Sequence, residues 1–433
     1  MKKLLMISYH FPPSIINGGE RVFKFAKYLP LYHVEPHIIT IKEKYISEKY
    51  IRKETLLKVK IYRTIYLDCT MIYNIYAKLK AIRDYYKKKR KNRNPISYII
   101  DKDDVSMYYR TSGSNKFFAW FLIPDIHIGW LPFALMRSIK VIKKKKIRTA
   151  FTTSGPFTSH LVGGFLKCFY NIRWIADFRD PYTNNANLYV PTSLHKRIHK
   201  CIEKNIIKRA DVIISNTNEW NRRLKEIYPE FSNKMYTIPN GFDPSDYVFQ
   251  NIPKDNNGKI KLMFVGHLYA SRTPLPLFQA LRQMKSYLRL DKLVSVEFVG
   301  KNNLTNMIKD FHLDDIVVDK GYLVKEKVLK LLSQADIAIL IGGKGIDNGS
   351  MPSKIFDYFA YRKPILAIFP KGPVTEMIKK YNIGWVCEPE NTEEISNVIT
   401  EIISKKNFVV NYDENYFKQF ERKEVTRLLA RFI

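Results

Sequence analysis

Short β-branched and aliphatic runs alternate with helix-patterned stretches along almost the whole of this chain, and they do so in two series. The first series comprises "KKLLMISY" (2–9), "PHIIT" (36–40), "IRTAFTTS" (147–154), "RWIADF" (173–178) and "ADVIISN" (210–216). Between these runs lie helical stretches such as "RVFKFAKYL" (21–29), "HLVGGFLKCF" and "TNEWNRRLKEIY". Such alternation is the pattern of a doubly wound parallel sheet. "YTIPNGFDPSDYV" (236–248) then breaks the rhythm with Pro, Asn-Gly and Pro again. A second series follows: "KIKLMFVG" (259–266), "VSVEFVG" (294–300), "IVVDKGYL" (316–323), "ADIAILI" (335–341) and "KPILAIF" (363–369), with a helix from Pro276. The expected fold is α/β, with two Rossmann-like, doubly wound parallel-sheet domains facing a central cleft, over 1–241 and 242–412. Residues 413–433 are expected to form a last helix, free to pack back on the first domain. In open parallel sheets, ligands collect at the carboxyl ends of the strands.

The length of 433 residues agrees with two domains, being too great for one compact core. A formal charge of +32 gathers partly in "KLKAIRDYYKKKRKNR" (78–93) and "RSIKVIKKKKIR" (137–148). Such a field favours nucleic acid, an acidic membrane surface or a phosphorylated substrate, unless it is only a solvated surface. No helix-turn-helix, zinc-finger or RNP pattern accompanies it, which disfavours nucleic acid. Within 72–93, Ile72, Ile75, Tyr76, Leu79, Ile82 and Tyr86 recur at helical spacing among Lys and Arg. That is an amphipathic basic helix, expected to lie on an anionic inner-membrane surface; the alternative is that it covers its own domain. Cys69, Cys168, Cys201 and Cys387 stand too far apart in sequence for a CxxC or zinc pattern. The opening apolar run is too brief for a signal peptide, and no run reaches the ~18 residues of a spanning helix. The expected location is therefore cytoplasmic, peripheral at the inner face of the membrane.

Chemistry should gather where strands end. After the first strand, Gly18 and Gly19 permit a tight turn and close approach of a ligand. This is no GxGxxG fingerprint, so a bound nicotinamide cofactor is not expected. "TTSGPFTSH" (152–160) brings His160, a candidate proton carrier or hydrogen-bond donor, or else a structural histidine. "IADFRDP" brings Asp177, Arg179 and Asp180, three charges that must pair among themselves or meet a polar ligand. In the second series, "FVGHLYASRTP" supplies Gly266, His267 and Arg272, whose planar fork suits phosphate oxygens. "GSMPSKIFD" adds the turn Gly349, Ser350, Met351, Pro352 and Ser353 with the backbone amides around it, and Lys354 as a second cation. Asp357, one turn into the following helix, is a candidate for the ribose diol. Together these outline a pocket for a nucleoside diphosphate.

Taken in order, "YHFPPSIINGGER", "DIHIGWLPFA", "TTSGPFTSHLVG", "WIADFRDPY", "ADVIISNT", "IPNGFD", "GHLYASRTPLPL" and "GSMPSKIFDYFAYRKPILA" span nearly the whole chain. In these the chain resembles the family 4 glycosyltransferases of the GT-B fold, particularly a bacterial branch serving surface-polysaccharide assembly. The resemblance implies retaining, metal-independent transfer of a sugar from a nucleotide-diphosphate donor, UDP by family frequency, to an acceptor hydroxyl. The donor is a substrate, and no cofactor is implied. The second domain would hold the nucleotide and the first the acceptor, here a lipid-linked saccharide. Arg272 falls on the family's phosphate-contacting lysine position and His267 on that of its arginine partner. Arg179 or Asp180 occupies the loop where many relatives carry a histidine near the sugar. Asp357 matches the second glutamate of the family's paired-glutamate motif. The first glutamate falls at Gly349, so sugar recognition there must use backbone amides or another residue, and Lys354 is left to replace the charge missing at His267. The nearest enzymatic alternative is a nucleotide-sugar epimerase of the same fold, for which Asp177 and Asp180 are the available carboxylate pair.

Overall fold

The structure is a computed structural model that describes residues 1–13, 17–43, 59–69, 119–185, 188, 190–247, 258–269, 271–345, 349–405 and 410–433. The amphipathic basic segment 72–93 lies outside the described residues. The chain divides into two compact units: Met1–Ser215 with Leu224–Tyr236 and Thr426–Ile433, and Asn216–Arg223 with Thr237–Val425.

The first unit is built on a seven-stranded sheet. Its strands are β1 (Lys2–Ile7), β2 (Val34–Ile41), β3 (Lys60–Thr64), β4 (Thr149–Thr153), β5 (Arg173–Arg179), β6 (Val212–Ser215) and β7 (Met235–Thr237). Their order across the sheet is β3-β2-β1-β4-β5-β6-β7, with parallel pairing from β3 through to β6. Helices Asn17–Tyr28, Leu131–Lys145, Thr158–Tyr170 and Ser193–Arg209 fill the crossovers. One core layer sets Leu5, Ile7, Ile39 and Trp130 against Leu166; another gathers Trp174, Phe178 and Ile206. The last residues of the chain belong to this unit. Lys2 Nζ donates to the Ile433 carbonyl at 2.9 Å, and Arg173 Nε to that of Phe432 at 2.9 Å.

The second unit carries six strands: β8 (Ile260–Val265), β9 (Val294–Val299), β10 (Val317–Asp319), β11 (Ile337–Ile341), β12 (Ile365–Ile368) and β13 (Gly384–Cys387). Every neighbouring pair in the order β10-β9-β8-β11-β12-β13 is parallel. Alternate residues of one strand enter opposite core layers, as the period of two requires. Leu262 and Phe264 join Ile339 on one face, while Met263 joins Ala338 and Leu340 on the other. β11 is buried at all five positions, which is why it reads as an unbroken apolar run.

Two local expectations need correction. The last helix is two helices, Glu414–Lys418 and Arg422–Ala430. The break arises because the main chain there bonds elsewhere: Phe242 N donates to the Phe420 carbonyl at 3.0 Å, and Arg422 N to the Phe242 carbonyl at 2.7 Å. Of "IVVDKGYL", only Val317–Asp319 is strand. Among the described residues, no helix is long and apolar enough to cross a membrane.

Candidate functional site

Each sheet reverses its winding direction once, at β1/β4 in the first unit and at β8/β11 in the second. A doubly wound sheet opens a crevice at that reversal, beyond the strands' carboxyl ends. The candidate residues leave from those strands or their neighbours.

In the second unit, Gly266 follows β8 and donates its N–H to the Val299 carbonyl at 2.8 Å. The Lys354 ammonium rests directly over it: a Cβ at position 266 would overlap Nζ and come within 3.0 Å of Cε. Gly266 is thus required for the close approach that brings this cation to the strand exit. Lys354 immediately precedes the helix Ile355–Ala360, and its ammonium lies 5.8 Å from the centroid of the Phe264 ring. Arg272 is reached through a turn in which its N–H donates to the Tyr269 carbonyl at 3.0 Å, and its guanidinium covers the Tyr269 ring at 4.6 Å. His267 is exposed, its ring 6.0 Å from that of Tyr269. The loops after β8 and β11 run side by side, since Ser271 Oγ donates to the Lys344 carbonyl at 3.1 Å and a Cβ on Gly343 would overlap Ser271.

The turn 349–354 carries Gly349 at φ +89°, where a side chain is strained whatever the space. Gly349 is buried, Ser350, Met351 and Pro352 are half-buried, and Ser353 is exposed. The Gly349 carbonyl accepts from Thr217 Oγ1 at 3.0 Å. A Cβ at 349 would sit 2.7 Å from Glu219 Cγ. Glu219 therefore fills the space that a larger residue at 349 would use. Hydrogen bonds from Arg222 and Arg223 pull its carboxyl down to about 2, against the opposing effect of burial. Asp357 Oδ1 accepts from the Tyr247 hydroxyl at 2.6 Å. Thr217, Glu219 and Tyr247 were not anticipated from the sequence; the hydrogen bonds of Thr217 to Gly349 and of Tyr247 to Asp357 span 132 and 110 residues.

In the first unit, the three charges of "DFRDP" divide. Asp177 is fully buried and pairs with Arg21, Nε to Oδ2 at 2.9 Å and Nη2 to Oδ1 at 3.1 Å; Thr153 Oγ1 also donates to Oδ2 at 2.9 Å. It is an internal ion pair. Arg179 lies 3.2 Å from the carboxylate of Asp180, which is 51% exposed. The β5/β6 register shifts between Asp177 and Arg179, and Arg179 takes φ +49°. Its guanidinium is wedged against Gly18 and Gly155, where a Cβ on either would come within 2.9 Å, and its Nη1 is buried without a partner. Gly18 and Gly19 are both buried in the first turn of Asn17–Tyr28. His10 is held neutral nearby: burial first, then His127 and Arg179, push it down to about 3.

His160 is in a different environment. Its Nδ1 lies 2.7 Å from Thr152 Oγ1, which accepts from Trp174 Nε1 at 2.8 Å, and its ring stacks on Phe178. Burial pushes it down to about 3. A group with that pKa has no proton to exchange near neutrality, so its surroundings favour the structural role over the proton carrier. No group of three or more His, Cys, Asp or Glu side chains gathers to hold a metal ion among the described residues.

Residues 248–419 match the family model described as glycosyl transferases group 1. A curated relative, the probable glycosyltransferase WbjE of Pseudomonas aeruginosa, is 26% identical over 163 residues, covering 36% of this chain. The match spans about two fifths of that relative's length, 39%. Among solved structures, sucrose-phosphate synthase from Thermosynechococcus elongatus superposes with a TM-score of 0.65 at 13% identity, covering 100% of this chain and 98% of its own. Anabaena HepE in complex with UDP-glucose gives 0.61 at 13% identity, with coverages of 100% and 99%. At such identities the likeness is one of fold.

Proposed function

We propose, from the GT-B fold and the match of residues 248–419 to the group 1 glycosyl transferases, that the chain transfers a sugar from a UDP-sugar to a lipid-linked saccharide in bacterial polysaccharide assembly, with retention at the anomeric carbon and no metal. The observation that carries the reading is the Lys354 ammonium held over Gly266 where the second sheet reverses. A cation kept at a strand exit beside a turn of backbone amides suits a diphosphate. That HepE is described with UDP-glucose is a fact about HepE, and it supports the choice of UDP as the first probe.

The chemistry follows from the charges. The bond between the anomeric carbon and the diphosphate oxygen breaks, leaving an oxocarbenium-like sugar and a diphosphate with additional negative charge. Lys354, Arg272 and the N–H groups of Gly349, Ser350, Met351 and Ser353 stabilise that leaving group more strongly than the intact donor, and this difference lowers the barrier. The acceptor oxygen then bonds to the carbon on the face the diphosphate has left, and the acceptor proton passes to a diphosphate oxygen. Glu219, standing where a side chain at 349 would project, is the carboxylate nearest the missing first glutamate.

The test is a thermal-shift series on the full chain with UDP, GDP, ADP, CDP and CMP at millimolar concentration. A ligand that binds only the folded state at a hundred times its Kd stabilises it by ~2.7 kcal/mol. UDP should raise the Tm and CMP should not. Arg272→Ala should lower turnover about 100- to 1,000-fold, the scale of one lost oxyanion donor. No response to any diphosphate, or full turnover in Arg272→Ala, would overturn the reading.

A further inference from the structure

We propose that the groove between the helices Thr158–Tyr170 and Ser193–Arg209 of the first unit seats a single hydrocarbon chain of a lipid with an anionic head group. The inference adds a ligand to the transferase reading but stands on the groove alone. The cavity measures about 370 Å³ and is walled by Leu161, Phe165, Phe169, Trp174, Ile202 and Ile206. Phe165 and Phe169 are 42% and 74% exposed, and their rings lie nearly parallel at 6.4 Å. Two large aromatics left in solvent at the lip of an apolar groove mark a surface that meets something apolar. The floor is also uncharged, because burial keeps His160 neutral.

Size and charge define the occupant. At the ~30 Å³ a water-sized group occupies, the space holds about a dozen methylenes, one chain and not a bundle. The exposed charges of Ser193–Arg209 are all positive: Lys196, Arg197, Lys200, Lys204, Lys208 and Arg209. Its one acidic residue, Glu203, is buried and accepts from Thr183 and Tyr228. Arg209 stands at the groove itself, against the thiol of Cys168. An apolar slot with Arg209 at its lining, on a helix whose exposed charges are all positive, is complementary to a chain with an anionic head. A polyanion without a chain would match the positive helix and leave the aromatics unexplained.

The test follows Trp174 fluorescence of the full chain titrated with alkyl phosphates from hexyl to tetradecyl, each kept below its micelle concentration. Affinity should rise roughly fourfold per methylene, the ratio for burying one such group, and level off near a dozen carbons. Gly164 lines the groove, and a Cβ there meets only the Trp174 ring at 3.7 Å, so Gly164→Leu has room to enter and fill the slot. It should weaken dodecyl phosphate at least tenfold while leaving hexyl phosphate nearly unchanged. Arg209→Gln should remove most of the preference for dodecyl phosphate over neutral dodecyl maltoside. A flat chain-length series, or full dodecyl affinity in a folded Gly164→Leu variant, would overturn the proposal. The UDP-induced Tm shift, measured on the same samples, reports the nucleotide site separately, so failure of one reading is distinguished from failure of the other.

Discussion

Lys354→Met offers a direct test of the proposal that the second unit holds a diphosphate. The substitution keeps most of the stem and deletes the ammonium that rests over Gly266. A hydrogen bond between charged partners contributes ~1.5–3 kcal/mol, which corresponds to a roughly 10- to 150-fold loss of UDP affinity. Gly266→Ala reaches the same ammonium from the other side. Its methyl group needs ~3.5–4.0 Å of carbon contact, so it drives Nζ back by more than about 1 Å. At φ +158° that alanine also carries backbone strain of ~1–3 kcal/mol, seen as a lower Tm in the free protein. The decisive comparison is the double variant by isothermal titration with UDP. Once the ammonium is gone, Gly266→Ala can no longer move it away from the phosphate, so it should add less than ~0.5 kcal/mol to the loss of UDP binding from Lys354→Met. Wild-type UDP affinity in Lys354→Met, or fully additive losses, would refute the assignment of this cation to the phosphate.

Arg21→Met should cost ~3–5 kcal/mol in urea denaturation, since it leaves the buried Asp177 carboxylate with Thr153 but without its ion-pair partner; a cost under 1 kcal/mol would contradict the buried ion pair. The pH dependence of stability should include a share from His160. Its folded pKa, about 3, lies below the ordinary 6.5, so the unfolded chain binds more protons between these values. The contribution is full above pH 6.5 and is lost as pH falls from there towards 3, at up to ~1.4 kcal/mol per pH unit. His160→Asn should therefore flatten the decline between pH 6.5 and 5.5 by about 1 kcal/mol, and an unchanged slope would contradict the buried neutral ring.

The strands that carry the candidate site were legible because they are buried on both faces. "ADIAILI" and "KIKLMFVG" read as apolar runs for the same reason that β11 and β8 lie beside each other in mid-sheet. Two edge strands, β3 and β13, were not legible. β3 spells "KIYRT" and β13 "GWVC", short and only partly buried, so neither stood out from its surroundings. The candidate loops could be named from strand exits alone, but the order β10-β9-β8-β11-β12-β13 was needed to bring Ser271 against Gly343. Charge crowding in "DFRDP" was a true signal with two possible answers. Only a partner 156 residues away decided that Asp177 answers to Arg21, leaving Arg179 as the residue with an unsatisfied nitrogen.

Gly349 marks the deeper limit of reading a site from one stretch of chain. In the sequence it looks like a loss, a turn without a carboxylate. In the structure the position is glycine for two separate reasons, each sufficient: φ +89° disfavours any side chain, and Glu219 occupies the adjoining space. The turn is then tied to the segment that supplies Glu219, because Thr217 donates to the Gly349 carbonyl. Restoring an acid at 349 alone would consequently collide with Glu219 and strain the backbone, so it should lower stability without improving UDP-sugar use. The carboxylate and the turn have to change together, and a pattern tied to position 349 alone misses an acid that arrives from 130 residues earlier in the chain, 349 − 219.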